Sequence, residues 1–341
     1  MEPCKLGQVL DIGGSSIGQD LVSNLKTDFL RIQPGGARTI PTELFYHGAG
    51  LELWNKVCWI PGYHQTRDEI SLLENYGDAI CKNIPPGCIL VDMGSGDIRK
   101  SACLLERLDS LNIPVSYYAL DLSRETLAKS MAYLAGKYNH VQFYGLCGTF
   151  EDGRQWLRSK TERKCVLSLG SMFGNDEFEL AVARMLPWRE VLEPNDIMLL
   201  GMDARGGQEE LTRMYHDNEG IWEAFIRNGF EQSNQLLGAT WFQNEDWMLD
   251  GIIRNDPPFH KFALRAVKDV ECQALGLHIK QGETVEFFES WKHGPDTMAL
   301  QFEKAGMVER GRWRSPRGAF CEFTPVTRYS PLLEVRLMTV P

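Results

Sequence analysis

Five short apolar runs recur between residues 88 and 203: CILVDM, PVSYYALD, VQFYG, CVLSLG and NDIMLLGMD. Each has the length of a strand buried on both faces. Helical patterns lie between most of them. DIRKSACLLERL puts Ile98, Ala102, Leu105 and Leu108 on one stripe, and RETLAKSMAYLA puts Leu127, Met131 and Leu134 at helical spacing. EFELAVARML reads as a further helix, whereas none is assigned between VQFYG and CVLSLG. Strands alternating with helices predict an α/β fold with a mostly parallel sheet covered on both faces. Upstream, YHQTRDEISLLENYGDAI opens a helix, with Thr66 and Glu69 at capping-box spacing and Ile70, Leu73 and Ile80 near one face.

The character changes after Ala204. QEELTRMYHDNEGIWEAFIRN reads as one long helical stretch. The aromatic segments ATWFQNEDWML, KFALRAV and ETVEFFESW then read as antiparallel strands of another unit. DTMALQFEKAGM and AFCEFTPV read as a helix and a strand that return to the first sheet. Residues 1–62 are punctuated by glycine and proline and hold only short apolar pieces.

With 43% hydrophobic and 24% charged residues among 341, the chain has ample material for a core. Its formal charge of −10 repels phosphate backbones and anionic lipid, which argues against nucleic acid or membrane as a main partner. The nine cysteines are scattered without a CxxC, so the cytoplasm is the expected compartment and a disulfide framework is not expected. MEPCKLGQVLDIGG does not read as a signal peptide, and no apolar run has the length of a membrane span. The seven histidines show no HExxH or other ligand spacing, so no metal is predicted.

The segment VDMGSGDIRK places a glycine turn after the first of the five strands. Such a turn lets a ligand approach the backbone, and the next helix offers its N-terminal amides. The dinucleotide fingerprint GxGxxG fails here, because Arg99 stands at the third glycine position. Asp92 and Asp97 add negative charge where a pyrophosphate would lie, an acidity that a cationic sulfonium tolerates better. Asp121 ends the second strand, where a carboxylate can accept both hydroxyls of an adenosine ribose. These features favour S-adenosylmethionine (SAM) over a nicotinamide cofactor. Two other classes stay open: an NAD-dependent oxidoreductase, and a SAM-binding protein that acts as a non-catalytic partner.

The segments ELFYHGAGLELWNKV, PGYHQTRDE, LVDMGSGDIRK, YYALDLS, GTFEDGRQWL, LGSMFGN and ESWK carry a family likeness. The chain resembles the SAM-dependent methyltransferases that act on amino-acid α-amines. These are the histidine-specific enzymes of ergothioneine synthesis and, more closely, their fungal relatives, including the 4-dimethylallyltryptophan N-methyltransferases of ergot alkaloid pathways. The resemblance implies a class I (Rossmann-like) methyltransferase domain with a second α+β substrate domain. The expected boundaries are 63–204 and 293–341 for the SAM-binding domain, and 1–62 and 205–292 for the substrate-binding domain. It also implies that Gly94, Gly96, Lys100 and Asp121 hold SAM, with Thr149 and Phe150 beside the adenine.

On the acceptor side the positions matching the family are Tyr63, Asn175, Tyr215 and Ser290, with Tyr46 expected to orient the amine. Asn175 and Tyr63 are expected to hold the α-carboxylate. The amine must attack as the neutral base, aligned with the methyl it takes. Histidine-specific members carry a Glu two residues before the matched serine, and here Phe288 stands there. A phenyl ring cannot hydrogen-bond an imidazole. Trp241, Phe242, Trp247, Phe287 and Trp291 are expected to surround a large flat side chain, while Glu289 should face the other way along the strand. The expectation is therefore N-methylation of a tryptophan-type amino acid, foremost 4-dimethylallyltryptophan, in indole alkaloid metabolism. The alternatives are another indolic metabolite, or histidine or tryptophan carried to a betaine. The oligomeric state is not legible in the sequence.

Overall fold

A computed structural model describes residues 5–15, 17–30, 38–96, 98–204 and 206–327. In chain order the elements begin with β1 (Val9–Asp11), α1 (Ile17–Leu30), β2 (Arg38–Thr39), a 3-10 turn (Thr42–Tyr46), α2 (Gly50–Val57) and α3 (Gln65–Cys81). Next come β3 (Cys88–Met93), α4 (Arg99–Ser110), β4 (Val115–Asp121), α5 (Arg124–Leu134), β5 (Val141–Cys147) and α6 (Phe150–Arg158). They are followed by β6 (Lys164–Ser168), α7 (Phe178–Arg189), β7 (Ile197–Asp203), α8 (Gln208–Tyr215) and α9 (Ile221–Leu237). The last are β8 (Trp247–Asn255), β9 (Pro258–Ala266), β10 (Val270–Cys272), β11 (Leu277–Ile279), β12 (Thr284–Trp291), α10 (Pro295–Lys304), β13 (Met307–Arg314) and β14 (Phe320–Thr327).

The described residues divide into two compact units. One combines the chain up to Gly14, Asp68–Asp203 and the chain from Gly294 on; the other combines Ser15–Arg67 and Ala204–His293. The short β1 pairs with β5, which puts the first residues in the first unit instead of with the rest of the N-terminal segment.

The first unit holds an eight-stranded sheet in the order β1-β5-β4-β3-β6-β7-β14-β13. β1 through β7 of this sheet run parallel, and β14 is antiparallel to both β7 and β13. This is the arrangement expected of a class I methyltransferase. Successive side chains of the central strands leave on opposite faces. Leu90, Tyr117, Leu167 and Leu199 enter one buried cluster, and Val91, Leu120, Val166 and Leu200 enter the other. The strand order reverses between β3 and β6, and at such a point the carboxyl ends of the two strands open a crevice.

Several local expectations change. GTFEDGRQWL forms α6, for which no helix is assigned from the sequence. Residues 307–314 add an edge strand, β13. α3 starts at Gln65, so Thr66 lies inside its first turn and Glu69 has other partners. Asp92 does not face a ligand. It is buried among the core side chains, where the Ser101 hydroxyl and the Tyr117 hydroxyl (2.7 Å) both donate to it. Asp97 lies outside the described residues.

The second unit carries a four-stranded sheet in the order β2-β12-β9-β8 and a β10-β11 pair. The expected long helix after Ala204 is two helices. Asp217 accepts the amides of Ile221 (2.8 Å) and Trp222 (3.0 Å), starting α9 anew after Gly220 at φ 71°. α9 then approaches Phe45 closely, since a Cβ on Gly229 would collide with that ring. The core is aromatic, with Phe45, Trp222, Phe225, Phe230, Phe262 and Phe287 in one cluster. Among the described residues, no helix is long and apolar enough to cross a membrane.

Burial is the main cause that pushes the Asp92 carboxyl up to about 6, against its hydrogen bonds from Ser101 and Tyr117. The folded state thus disfavours the charged form. The stability contributed at this site is present in acid and is lost as pH rises from about 4 through about 6. Asp92→Asn keeps an acceptor but cannot ionise. Its stability deficit against the wild type should shrink by about 1–3 kcal/mol between about pH 4 and pH 6 in urea unfolding. A deficit that stays constant over that range contradicts a raised Asp92.

Candidate functional site

In the first unit, Gly94 (φ 62°) and Gly96 (φ 52°) bend the chain after β3 through the left-handed region. Side chains resist those angles, and a Cβ on Gly94 would also crowd Met172 at 3.3 Å and touch the Phe150 ring at 3.6 Å. The turn is tied across to β4. Ser95 N–H donates to the Leu120 carbonyl at 3.2 Å, and Gly96 N–H donates to Asp121 Oδ2 at 3.0 Å. The other oxygen, Oδ1, accepts the Ser123 amide at 3.0 Å. Burial raises the Asp121 pKa, while the amides of Ser123, Gly96 and Leu122 pull it back down. Each oxygen of an ionised carboxylate has a second acceptor site, so Asp121 can hold the turn and still accept ribose hydroxyls.

Thr149 and Phe150 open α6, and their roles differ. The Thr149 hydroxyl and amide are both bonded to Asp152, at 2.7 and 2.8 Å, in a complete capping box. Its carbonyl accepts Gly153 N–H at 3.0 Å. Thr149 therefore shapes the loop, whereas the Phe150 ring is exposed beside Gly94 and offers an apolar face. Lys100, in the first turn of α4, lies with Nζ 2.6 Å from Glu69 Oε2. Its ammonium is also 2.7 Å from where a Cβ on Gly170 would stand, just beyond the end of β6. Asn175 is half-buried in the loop between β6 and α7. Gly94, Gly96, Lys100, Asp121 and Phe150 thus gather at the carboxyl ends of β3, β4 and β6.

The remaining positions belong to the second unit, and it brings them together around two tryptophans. Trp54 of α2 packs against Tyr46, Tyr63 and Phe288, with ring centroids 5.7, 6.0 and 5.9 Å away. Trp222 of α9 packs against Tyr63, Tyr215 and Phe288 at 5.7, 5.4 and 5.6 Å. The Tyr215 hydroxyl is hydrogen-bonded to the Ser290 hydroxyl. Its ring stacks on His260 at 4.2 Å and 11°, and the buried Lys292 ammonium lies 5.4 Å from the ring centroid. Burial, with His216 and the Lys292 ammonium nearby, lowers the His260 pKa to about 2, so this imidazole is neutral.

Phe288 sits where the pairing of β12 with β9 slips between Phe287 and Ser290. Its φ of 53° is a strained value for a non-glycine residue, of the sort found at bulges and functional sites. The neighbouring Glu289 pairs with Lys261 at 3.2 Å and accepts the Trp291 indole N–H at 3.1 Å. The rings around Phe288 are Phe45, Trp54, Trp222, Phe225 and Phe262. They replace most of the expected set. Trp241, Phe242 and Trp247 pack on one another with Phe230, and Trp291 packs on Phe259. Trp54 stood in a segment marked for its family likeness, but its place against Phe288 depends on contacts that no local pattern encodes.

The sequence profile of histidine-specific, SAM-dependent methyltransferases matches residues 18–325. The chain belongs to this family. Ergothioneine biosynthesis protein 1 of Neurospora crassa is 33% identical over 295 residues, 85% of this chain and 34% of that protein. The 4-dimethylallyltryptophan N-methyltransferase easF of Claviceps purpurea is 36% identical over 180 residues, 51% of each chain. That of Claviceps fusiformis is 35% identical over 304 residues, 81% of this chain and 84% of that one. The chain thus spans 34% and 51% of the length of the first two of these relatives.

The family's description is SAM-dependent, and the residues of the first unit fit that methyl donor. The glycine turn leaves room at the backbone, Asp121 retains acceptor capacity, and Phe150 offers a ring face. Aspartate 121 makes the most direct test. Replacing it with alanine removes charge-assisted hydrogen bonds that are worth about 1.5–3 kcal/mol each, so SAM affinity should fall at least about tenfold. Calorimetry on the folded Asp121→Ala variant checks this, and unchanged affinity would move the donor site elsewhere.

Proposed function

We propose that the chain is an N-methyltransferase for the α-amine of a tryptophan-type amino acid, with 4-dimethylallyltryptophan as the leading acceptor. The observation that carries the reading is Phe288, held among five aromatic rings at a position where histidine-specific members place a carboxylate. Burying an indole or prenyl surface against such rings stabilises a complex by roughly 25 cal/mol for each Å² of apolar area removed from water. An imidazole there would lose its partner at a cost of about 1–3 kcal/mol, which is about tenfold to a hundredfold in selectivity.

In this reading the first unit binds the donor. Asp121 accepts the ribose hydroxyls, the Gly94–Gly96 turn admits the backbone approach, and Phe150 covers the adenine. Bound SAM supplies a methyl group on a sulfonium, electrophilic enough to need no further activation. The remaining work is positioning, which contributes much of the catalysis in a displacement between two held reactants. Tyr63 and Asn175 are each proposed as contacts of the acceptor carboxylate. Tyr46 orients the amine so that its lone pair, once the proton has left, points at the methyl. Tyr215 and Ser290, hydrogen-bonded to each other, offer a paired donor and acceptor to the substrate.

Histidine is the second reading, favoured by the family's own description and by the ergothioneine relative. One competition separates the two. Equal amounts of histidine, tryptophan and 4-dimethylallyltryptophan are offered with SAM, and the products are scored by mass spectrometry. The expected main product is the N-methylated prenyl-tryptophan, with histidine poorer by about tenfold or more. Phe288→Glu should shift that ratio toward histidine. Methylated histidine as the main wild-type product would remove Phe288 as the basis of selection.

A further inference from the structure

Glu69 has no exposed surface, yet it carries an ionisable side chain. One carboxylate oxygen accepts Gly170 N–H at 2.6 Å, and the other lies 2.6 Å from the Lys100 ammonium. A second fully buried carboxyl, Glu322 of β14, occupies the same space: a Cβ on Gly201 would collide with Glu69 and come within 2.8 Å of Glu322. Two carboxylates this close do not both ionise. Burial and the Glu69 charge push Glu322 well above the ordinary carboxylate range, with Lys100 opposing. Glu322 is thus the neutral member, and Glu69 with Lys100 forms one ion pair.

That pair has an inner and an outer end. The Glu69 side chain is 0% exposed and that of Lys100 is 22% exposed. A buried ion pair is poor evidence of net stability, because desolvation offsets most of its attraction, and its best-attested use is to fix one arrangement among several. Here the arrangement fixed is the place of a cation. Glu69 binds the backbone at Gly170, just beyond β6, and through it the Lys100 ammonium is held on the opposite side of the strand-order reversal from the glycine turn that follows β3. A carboxylate can accept from Gly170 and Lys100 together through its two oxygens. A glutamine has one acceptor oxygen and would turn an NH₂ group toward a donor.

We propose that Glu69 is a positioning residue for the donor site, clamping the Lys100 ammonium at the end of β6 so that this cation recognises the carboxylate of the methionine moiety of SAM. The inference rests on the reading that the glycine turn and Lys100 belong to the SAM site. Lys100 then discriminates SAM from nucleosides that lack the amino-acid tail, and Glu69 sets how well it does so. 5′-Methylthioadenosine, which keeps the adenosine and the sulfur but has no carboxylate, is the matched probe.

Calorimetry on the full chain compares SAM with 5′-methylthioadenosine for the wild type, Glu69→Gln, Lys100→Met and Asp121→Ala. Asp121→Ala should weaken both ligands. Lys100→Met and Glu69→Gln should weaken SAM by about tenfold or more while changing 5′-methylthioadenosine by less than about twofold. If Glu69→Gln weakens both ligands equally, or neither, while Lys100→Met is selective, the positioning role is wrong and the donor site stands. If Lys100→Met is not selective, Lys100 is not the carboxylate contact and the inference falls with it. If Asp121→Ala changes neither ligand, the donor site itself is misplaced. Should Glu69→Gln fail to fold, Glu69→Asp keeps the charge but withdraws it by one methylene, and the ratio of the two affinities within that variant reads the same outcome.

Discussion

The Asp121 carboxylate joins the end of β4 to the turn that leaves β3. It accepts Gly96 N–H with one oxygen and Ser123 N–H with the other, so two loops from adjacent strands share one anchor. It helps hold the left-handed angles at Gly94 and Gly96, together with the Ser95 N–H bond to the Leu120 carbonyl, and glycine loses more conformational freedom on ordering than any other residue. The strand order places this anchor beside the point where the sheet reverses direction. The cradle is therefore a consequence of topology, and its precision comes from a few hydrogen bonds laid over that topology.

The second unit solves a different problem. Its candidate residues come from the 3-10 turn, the segment after α2, α8 and β12, and the shared neighbours Trp54 and Trp222 bring them together. Packing of large rings supplies rigidity at little side-chain entropy cost, and tyrosine adds a polar tip to an apolar body. Against that background the Tyr215–Ser290 hydrogen bond, the neutral His260 and the buried Lys292 ammonium are polar features beside the aromatic rings. Polar groups in such surroundings are costly unless paired.

The five central strands were legible because β3, β6 and β7 are buried at every position and β4 and β5 at most of theirs, which writes short, largely apolar runs into the sequence. α6 was not, since FEDGRQWLR buries only Gly153 and Leu157 and depends on the Thr149–Asp152 cap. That spacing was present in the sequence and is a usable signal. β1 is three residues long, and β13 is a charged edge strand with alternating burial; both are weak patterns that tertiary pairing decides. The same holds in the site. Asp121 could be found from its place after a strand. Asp92 could not be separated from it by position, because only the structure reveals that Ser101 and Tyr117 claim it for the core. Glu69 looked like half of a capping box, and its true partners are Gly170 and Lys100, 101 residues and 31 residues further along the chain.

The central claim is that one carboxylate, Asp121, both builds the turn and receives the donor. The most direct measurement is a crystal structure of the full chain with S-adenosylhomocysteine, the demethylated form of the donor. The account predicts both ribose hydroxyls on the Asp121 carboxylate, with the bonds from Gly96 and Ser123 still in place. A nucleoside bound away from Asp121, or an Asp121 side chain that must release Gly96 to admit it, would contradict the account.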